Sequence, residues 1–306
     1  MSKLLTVFGA TGVQGGSVIK AILADTALSK QFKIRGVTRD TSKPAAQQLA
    51  ASGVEVVSGD LSNAASAAKA VAGAHTVFLV TNYWESMSRD TEVAQGKVVA
   101  DASKQQGVQH LIFSSLRDVA QISSGRLPHV YHFDGKADIE QYIRDSGVPA
   151  TFVLPGFYMS NFFGFLRKQE GSDTYTFAVP TAPDQTQLPL LDTAEDLGKF
   201  VKASIKNRDK MLGHRVLAAT DYYTATQVAS EFAEVTGHKA QAVQIPEDTF
   251  KSFNPPAAAQ EMLENMLLLQ DPGYFAGESL APSKALVDEP PTTWKDFVAK
   301  NKGKWA

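Results

Sequence analysis

The chain has 306 residues, 43% of them hydrophobic and 20% charged, which is enough apolar matter for a substantial core and excludes a fibrous or disordered polypeptide. A formal net charge of −2 gives no global attraction to nucleic acid or to an anionic membrane surface. With no cysteine there is no disulfide, thiol nucleophile or thiolate metal site, and no metal-ligand set stands out in its place.

In chain order, Met1-Ser2-Lys3 leads into an apolar run, Leu4 to Phe8, that glycine ends. This run is too short for a signal sequence and has the length of a buried strand. No apolar run approaches the roughly twenty residues that span a bilayer. A soluble intracellular protein is expected, cytoplasmic, with a nuclear share left open. Further strands are read at Lys33 to Thr38, Val54 to Ser58, Thr76 to Val80, His110 to Ser114 and Ala150 to Leu154. Helical patterns fill the gaps, among them Gly12 to about Ala24 and Arg89 to Gln106. Buried apolar strands alternating with helices are the rhythm of βαβ units. The fold class predicted is therefore α/β, a Rossmann-type doubly wound parallel sheet over residues 1–155.

After Pro155 the rhythm weakens, and Pro180, Pro183 and Pro189 interrupt it. Helical patterns return at Thr193 to Ile205, Thr224 to Thr236, Ala257 to Leu269 and near Trp294. Residues 156–306 read as a smaller C-terminal α/β region for a substrate or partner, across a soft boundary that allows interleaving.

The first strand runs into Gly9-Ala10-Thr11-Gly12-Val13-Gln14-Gly15-Gly16. Gly9 can take turn dihedrals, Gly12 can let the backbone approach a pyrophosphate, and Gly15 can seat the helix against the strand. The helix start then offers its amides to an anion, with Thr11, Val13 and Gln14 lining the turn. At the end of the second strand, Arg39 stands where an NAD-specific protein usually has a carboxylate, so its guanidinium can fork onto a 2′-phosphate. Lys43 adds a second positive charge, while Asp40 opposes it. Two more strand ends face the same cleft: Gly59-Asp60-Leu61, with Asp60 placed to accept from the adenine amine, and Thr81-Asn82-Tyr83, bordering the ribose and nicotinamide. The cofactor read from this set is NADP(H).

Together with Thr81-Asn82-Tyr83-Trp84-Glu85 and His132-Phe133-Asp134-Gly135-Lys136, these residues closely resemble the NmrA-like family, atypical members of the short-chain dehydrogenase/reductase superfamily. The likeness runs from the first strand through Pro155 and continues less distinctly beyond. Typical members of the superfamily carry tyrosine and lysine four residues apart on one helix face, the phenol moving a proton and the lysine holding the ribose. Here Lys136 matches the lysine, but His132 stands four residues before it and Tyr131 is one residue out of register. Ser115, with Ser114 beside it, lies where a substrate-orienting serine often sits. Lys136, His132, Tyr131 and Ser115 are thus the candidate catalytic residues. The resemblance also places Pro155, Phe157, Tyr158 and Asn161 in a loop near the nicotinamide.

Two functions remain open. The resemblance implies an NADP(H)-responsive redox sensor that acts through regulatory protein partners, and a cofactor cleft without the usual tyrosine fits a site that reads its ligand. The alternative is an NADPH-dependent oxidoreductase reducing a small carbonyl, enone or quinone-like substrate, since isoflavone-reductase-like relatives also lack the tyrosine and keep a lysine. A homodimer is compatible with either. Direct nucleic-acid binding is disfavoured, because there is neither a basic recognition helix nor a charge excess.

Overall fold

The apolar runs of the first half become six parallel strands in a computed structural model that describes residues 2–305. They are β1 (Lys3–Phe8), β2 (Phe32–Thr38), β3 (Glu55–Ser58), β4 (Thr76–Leu79), β5 (His110–Ser114) and β6 (Ala150–Pro155). A seventh strand, Arg215–Ala218, pairs in parallel with β6, and the sheet order is Arg215–Ala218, β6, β5, β4, β1, β2, β3. The chain builds outward from β1 to β3, then crosses back to lay β4 on the other side of β1. That reversal opens a crevice beyond the carboxyl ends of β1 and β4, the place where open α/β sheets bind ligands.

Each sheet face carries its own core. On one face, Val7, Phe78, Ile112 and Val153 pack with Ile19 and Ile22 of the Val13–Ala24 helix and with Leu197, Phe200 and Val201 of the Thr193–Lys206 helix. These two helices touch closely at Gly198, where an added Cβ would come within 2.1 Å of the Ser17 carbonyl oxygen. The Gly198 amide donates to Ser17 Oγ at 2.9 Å. On the other face, Leu79, Phe113 and Phe152 pack with the Arg89–Gln105 and Tyr131–Ser146 helices. A side chain at Gly96 there would meet Ile139 at 2.6 Å.

The segment after Pro155 is interleaved with the sheet, since the Thr193–Lys206 helix and the Arg215–Ala218 strand both return to it. The rest forms two three-stranded sheets, one of Phe157–Tyr158, Gln187–Leu191 and Asp221–Thr224, the other of Leu166–Lys168, Thr174–Val179 and Lys239–Gln244. Pro189, read as a breaker, lies within a strand. Its neighbour Phe157–Tyr158 pairs only at Leu190 and Leu191, so the proline stands beside an unpaired stretch on that side. Among the described residues, no helix is long and apolar enough to cross a membrane.

His110 opens β5 with its ring buried and Nε2 at 2.8 Å from Thr151 Oγ1. Burial pushes its pKa down to about 3. The neutral ring therefore contributes stability that is complete above the ordinary histidine value and is lost as pH falls toward 3, at a slope of about 1.4 kcal/mol per pH unit. His110→Gln keeps a donor toward Thr151 and removes that slope, so urea titrations from pH 7 to pH 4 should find the gap between the two proteins changing steadily. Parallel stability curves would show that the acid response lies elsewhere.

Candidate functional site

The glycine turn is built by exclusion of side chains. Gly9 has φ +63°, and a Cβ on Gly15 would lie 2.3 Å from the Gly9 carbonyl oxygen, so only glycine lets the Val13–Ala24 helix start this close to β1. The Gly12 amide closes the turn onto Gly9 O at 2.9 Å. Gly12 caps the helix without a side-chain hydrogen bond and no acid occupies the first turn, which leaves the amide end of the helix open to an external anion. Thr11 Oγ1 lies 3.5 Å from Thr38 Oγ1, and Val13 is half exposed. Gln14 turns inward and donates from Nε2 to the Tyr158 hydroxyl at 2.6 Å, tying the turn to the loop after β6. Burial pushes the Tyr158 phenol up to about 12, so it stays protonated.

On the β2 side, Arg39 forms an ion pair with Glu85, and both are exposed. Asp40 accepts instead from the amide and hydroxyl of Ser42, which hold its carboxyl below the usual range. Lys43 is the exposed N-cap of the Pro44–Ala51 helix. Asp60 is exposed and caps its own loop, accepting from the Ser62 amide at 2.8 Å, while Leu61 packs against the core.

Beyond β4 the residues divide. Asn82 is exposed at the start of the short Tyr83–Ser86 helix. Thr81 is buried and donates at 2.7 Å to Oε1 of Glu92, which also receives Lys136 Nζ. Glu92 is sealed in the Arg89–Gln105 helix, its Oε2 has no partner among the described residues, and a Cβ on Gly135 would press on that oxygen at 3.0 Å. Tyr83 points into the core and donates to Glu261 Oε2 at 2.7 Å. Burial and that bond push its phenol well above the ordinary range.

The Tyr131–Ser146 helix starts with no capping side chain of its own. Two acids of the Pro256–Leu268 helix meet it, Glu261 as the cap and Glu264 on the turn that precedes it. Glu261 Oε1 accepts from the His132 amide at 2.8 Å and meets His132 Nδ1 at 2.6 Å; Glu264 accepts from the His129 amide at 2.7 Å and meets His129 Nδ1 at 2.6 Å. The carboxylate assigns the Nδ1–H tautomer to His132. Its Nε2 makes no hydrogen bond among the described residues and is not sealed from solvent. Burial lowers the His132 pKa against the opposing pull of Glu261, so the ring is neutral near neutral pH. Trp84 packs on it with ring centroids 4.9 Å apart.

Tyr131 is exposed and lies 5.9 Å from the His129 ring, on the outside of the helix start. Ser115 is fully buried and donates to Glu140 Oε2 at 2.6 Å, while the Ser114 hydroxyl is sealed with no partner among the described residues. Asp134 accepts from the amides of Val119 and Ala120, and burial raises its carboxyl to about 6. In the loop after β6, the Pro155 carbonyl accepts from Tyr274 at 3.2 Å, Phe157 joins an aromatic cluster with Phe162 and Phe165, and Asn161 is exposed.

The fold thus brings Lys136, Thr81 and Glu92 into one cluster and His132, Tyr83 and Glu261 into the next, one helical turn away. Sequence reading gave Glu85 no role beyond its motif and passed over Glu92, Glu261 and Glu264. For Glu261 a signal existed: Ala258, Glu261, Asn265 and Leu268 form the buried stripe of their helix, and an acid on such a stripe requires a partner.

A family model described as the NmrA-like family matches residues 1–298. The NmrA-like family domain-containing oxidoreductase lnaB of Aspergillus flavus is 30% identical over 94% of this chain and 88% of its own length. The crystal structure of NmrA, a negative transcriptional regulator, in complex with NADP superposes with a TM-score of 0.82 at 24% identity, covering 98% of this chain and 95% of that one. The NADPH-dependent quinone oxidoreductase QOR2 of Escherichia coli, complexed with NADPH, gives 0.77 at 22% identity, over 97% and 99%.

The paired caps have unequal weight. Glu261→Ala strands the His132 amide, its Nδ1–H and the Tyr83 hydroxyl in a buried setting, and should cost about 3 kcal/mol in urea unfolding. Glu264→Ala should cost about 1 kcal/mol, because water reaches the half-exposed His129 ring. Equal losses would remove the distinction between an inner and an outer cap.

Proposed function

We propose that this chain, which belongs to the NmrA-like family, is an NADP(H)-dependent oxidoreductase in which His132 handles the proton. One observation carries the reading: Glu261 holds the His132 imidazole through Nδ1 and leaves Nε2 unpaired among the described residues, one helical turn from Lys136, in a chain whose glycine turn starts a helix with its amide end uncapped. Its relatives at 30% identity, lnaB among them, are named oxidoreductases, which supports it. The residues present suit the cofactor. Amides at Val13 to Gly15 would receive the pyrophosphate, Arg39 the 2′-phosphate and Lys136 the nicotinamide ribose.

When bound, NADPH supplies a hydride to the substrate carbon. His132 Nε2, protonated from solvent, then gives its proton to the developing oxygen and regains one from water. Burial makes the imidazolium a stronger acid than usual, and the Glu261 carboxylate holds the ring in place through the transfer. Because the protonated form is needed, turnover in the reductive direction should rise as pH falls below the ordinary histidine value. His132→Gln should lower kcat on the order of a hundredfold while leaving NADPH affinity within about threefold. An unchanged kcat would remove His132 from the chemistry.

The regulator reading has its own support. The usual tyrosine is absent, Lys136 is held by Glu92, and the fold is close to that of a negative transcriptional regulator. Here NADP(H) occupancy would change association with regulatory proteins in the cytoplasm or nucleus. NADPH consumption across carbonyl, enone and quinone substrates separates the two, since turnover sinks a pure sensor. For the cofactor itself, Arg39→Ala should weaken NADP⁺ binding by about ten- to a hundredfold and NAD⁺ far less. Equal losses by calorimetry would refute its 2′-phosphate role.

A further inference from the structure

Arg39 follows β2, Glu85 lies in the short Tyr83–Ser86 helix after β4, and β1 with its glycine turn stands between those two strands. The ion pair joining them therefore straddles the carboxyl end of β1. Its energy is not the point, since exposed pairs contribute little to stability. Its partners are. Asp40, the nearer acid in sequence, caps Ser42, and Glu85 is the carboxylate that takes Arg39. Ser58 Oγ donates to the Arg39 carbonyl at 3.2 Å and steadies the backbone from which the guanidinium projects. A guanidinium offers the same fork to a carboxylate as to a phosphate.

We infer that Glu85 is a resident competitor for the 2′-phosphate subsite, so that only a nucleotide bearing that phosphate displaces it and the Tyr83–Ser86 helix becomes the element that tells NADP from NAD. The inference rests on the cofactor reading above and names the residue that sets its selectivity. A 2′-hydroxyl brings no charge to contest Arg39 and leaves the pair in place. A 2′-phosphate brings nearly two negative charges, takes the guanidinium and releases Glu85.

The release has a route to the rest of the site. Within the short helix only Tyr83 is fixed in the core, through Glu261. Trp84, Glu85 and Ser86 are exposed, and the helix ends at Met87 with φ +50°, a left-handed conformation that a methionine rarely adopts. Trp84 adjoins Glu85 in sequence and packs on His132. Loss of the Arg39 contact is thus felt at a half-exposed indole beside the proposed proton carrier.

The test uses the full chain and its Glu85→Gln variant, an exposed substitution that leaves both cores untouched. Calorimetry with NADP⁺ and NAD⁺, and with 2′,5′-ADP and 5′-AMP as probes of the adenosine half, reads the selectivity. Trp84 fluorescence reads the helix, with Trp84→Phe to assign the signal against the buried Trp294 and Trp305. Glu85→Gln should tighten NADP⁺ and 2′,5′-ADP by about three- to tenfold and change NAD⁺ and 5′-AMP by less than about twofold. In the unaltered protein 2′,5′-ADP should move the Trp84 emission and 5′-AMP should not; in Glu85→Gln that difference should shrink. An equal gain for both nucleotide classes, or a loss for NADP⁺, overturns the competitor role. If the unaltered protein binds none of the four ligands, the cofactor reading itself falls and this inference with it.

Discussion

A helix that begins without a capping side chain leaves its first amides unpaired, and the Tyr131–Ser146 helix, which carries both His132 and Lys136, begins in this way. Its cap comes from more than a hundred residues downstream in the sequence, where Glu261 stands one turn from Glu264, which holds the preceding turn at His129. The match is one of spacing: acids three apart on one helix meet His132 in the first turn of the other and His129 in the turn just before it. Glu261 also fixes the tautomer of His132 and holds the Tyr83 hydroxyl, so orientation of the imidazole, closure of the helix start and docking of the C-terminal region are one arrangement. A negative pair at the positive end of a helix is also electrostatically favourable.

Most charged groups of the cleft already have partners. Arg39 has Glu85, Lys136 has Glu92, and His132 has Glu261. What stays uncompensated among the described residues is the amide end of the Val13–Ala24 helix and, farther out, the exposed Lys43. A polyanionic ligand would thus meet an unmatched attraction at the glycine turn, while contacts with Arg39 and Lys136 would require exchange of existing partners. Such an arrangement favours discrimination over raw affinity.

What the sequence made legible follows from how far each feature depends on distant residues. Strands β1 to β6 fall within about a residue or two of the apolar runs; β4, β5 and β6 are buried along their whole length and so apolar nearly throughout, whereas the edge strand β3 is only half-buried. The glycine turn is a local backbone rule, and Gly9, Gly12 and Gly15 each sit where the spacing puts them. The strand Arg215–Ala218 was missed, since four residues behind a helix carry too little pattern to separate a strand from a loop. Tyr83 was read toward the cofactor and turns to Glu261 instead, a choice made by a partner 178 positions away. The acids beside Arg39, Lys136 and His132 escaped for the same reason: helix periodicity identifies a face without naming what the face will meet.

The return of the chain to the main sheet has a bearing on modularity. A fragment ending after β6 would contain the whole glycine turn and nearly every residue proposed to touch a cofactor. It would also lose Arg215–Ala218, leaving the backbone of Phe152 to Pro155 as a bare sheet border, and would strip the Thr193–Lys206 helix from the back of the helix that follows the turn. Open borders recruit other strands. The nucleotide half of this molecule is therefore no detachable cassette, and grafting it onto another protein would transfer a self-associating surface together with the binding turn.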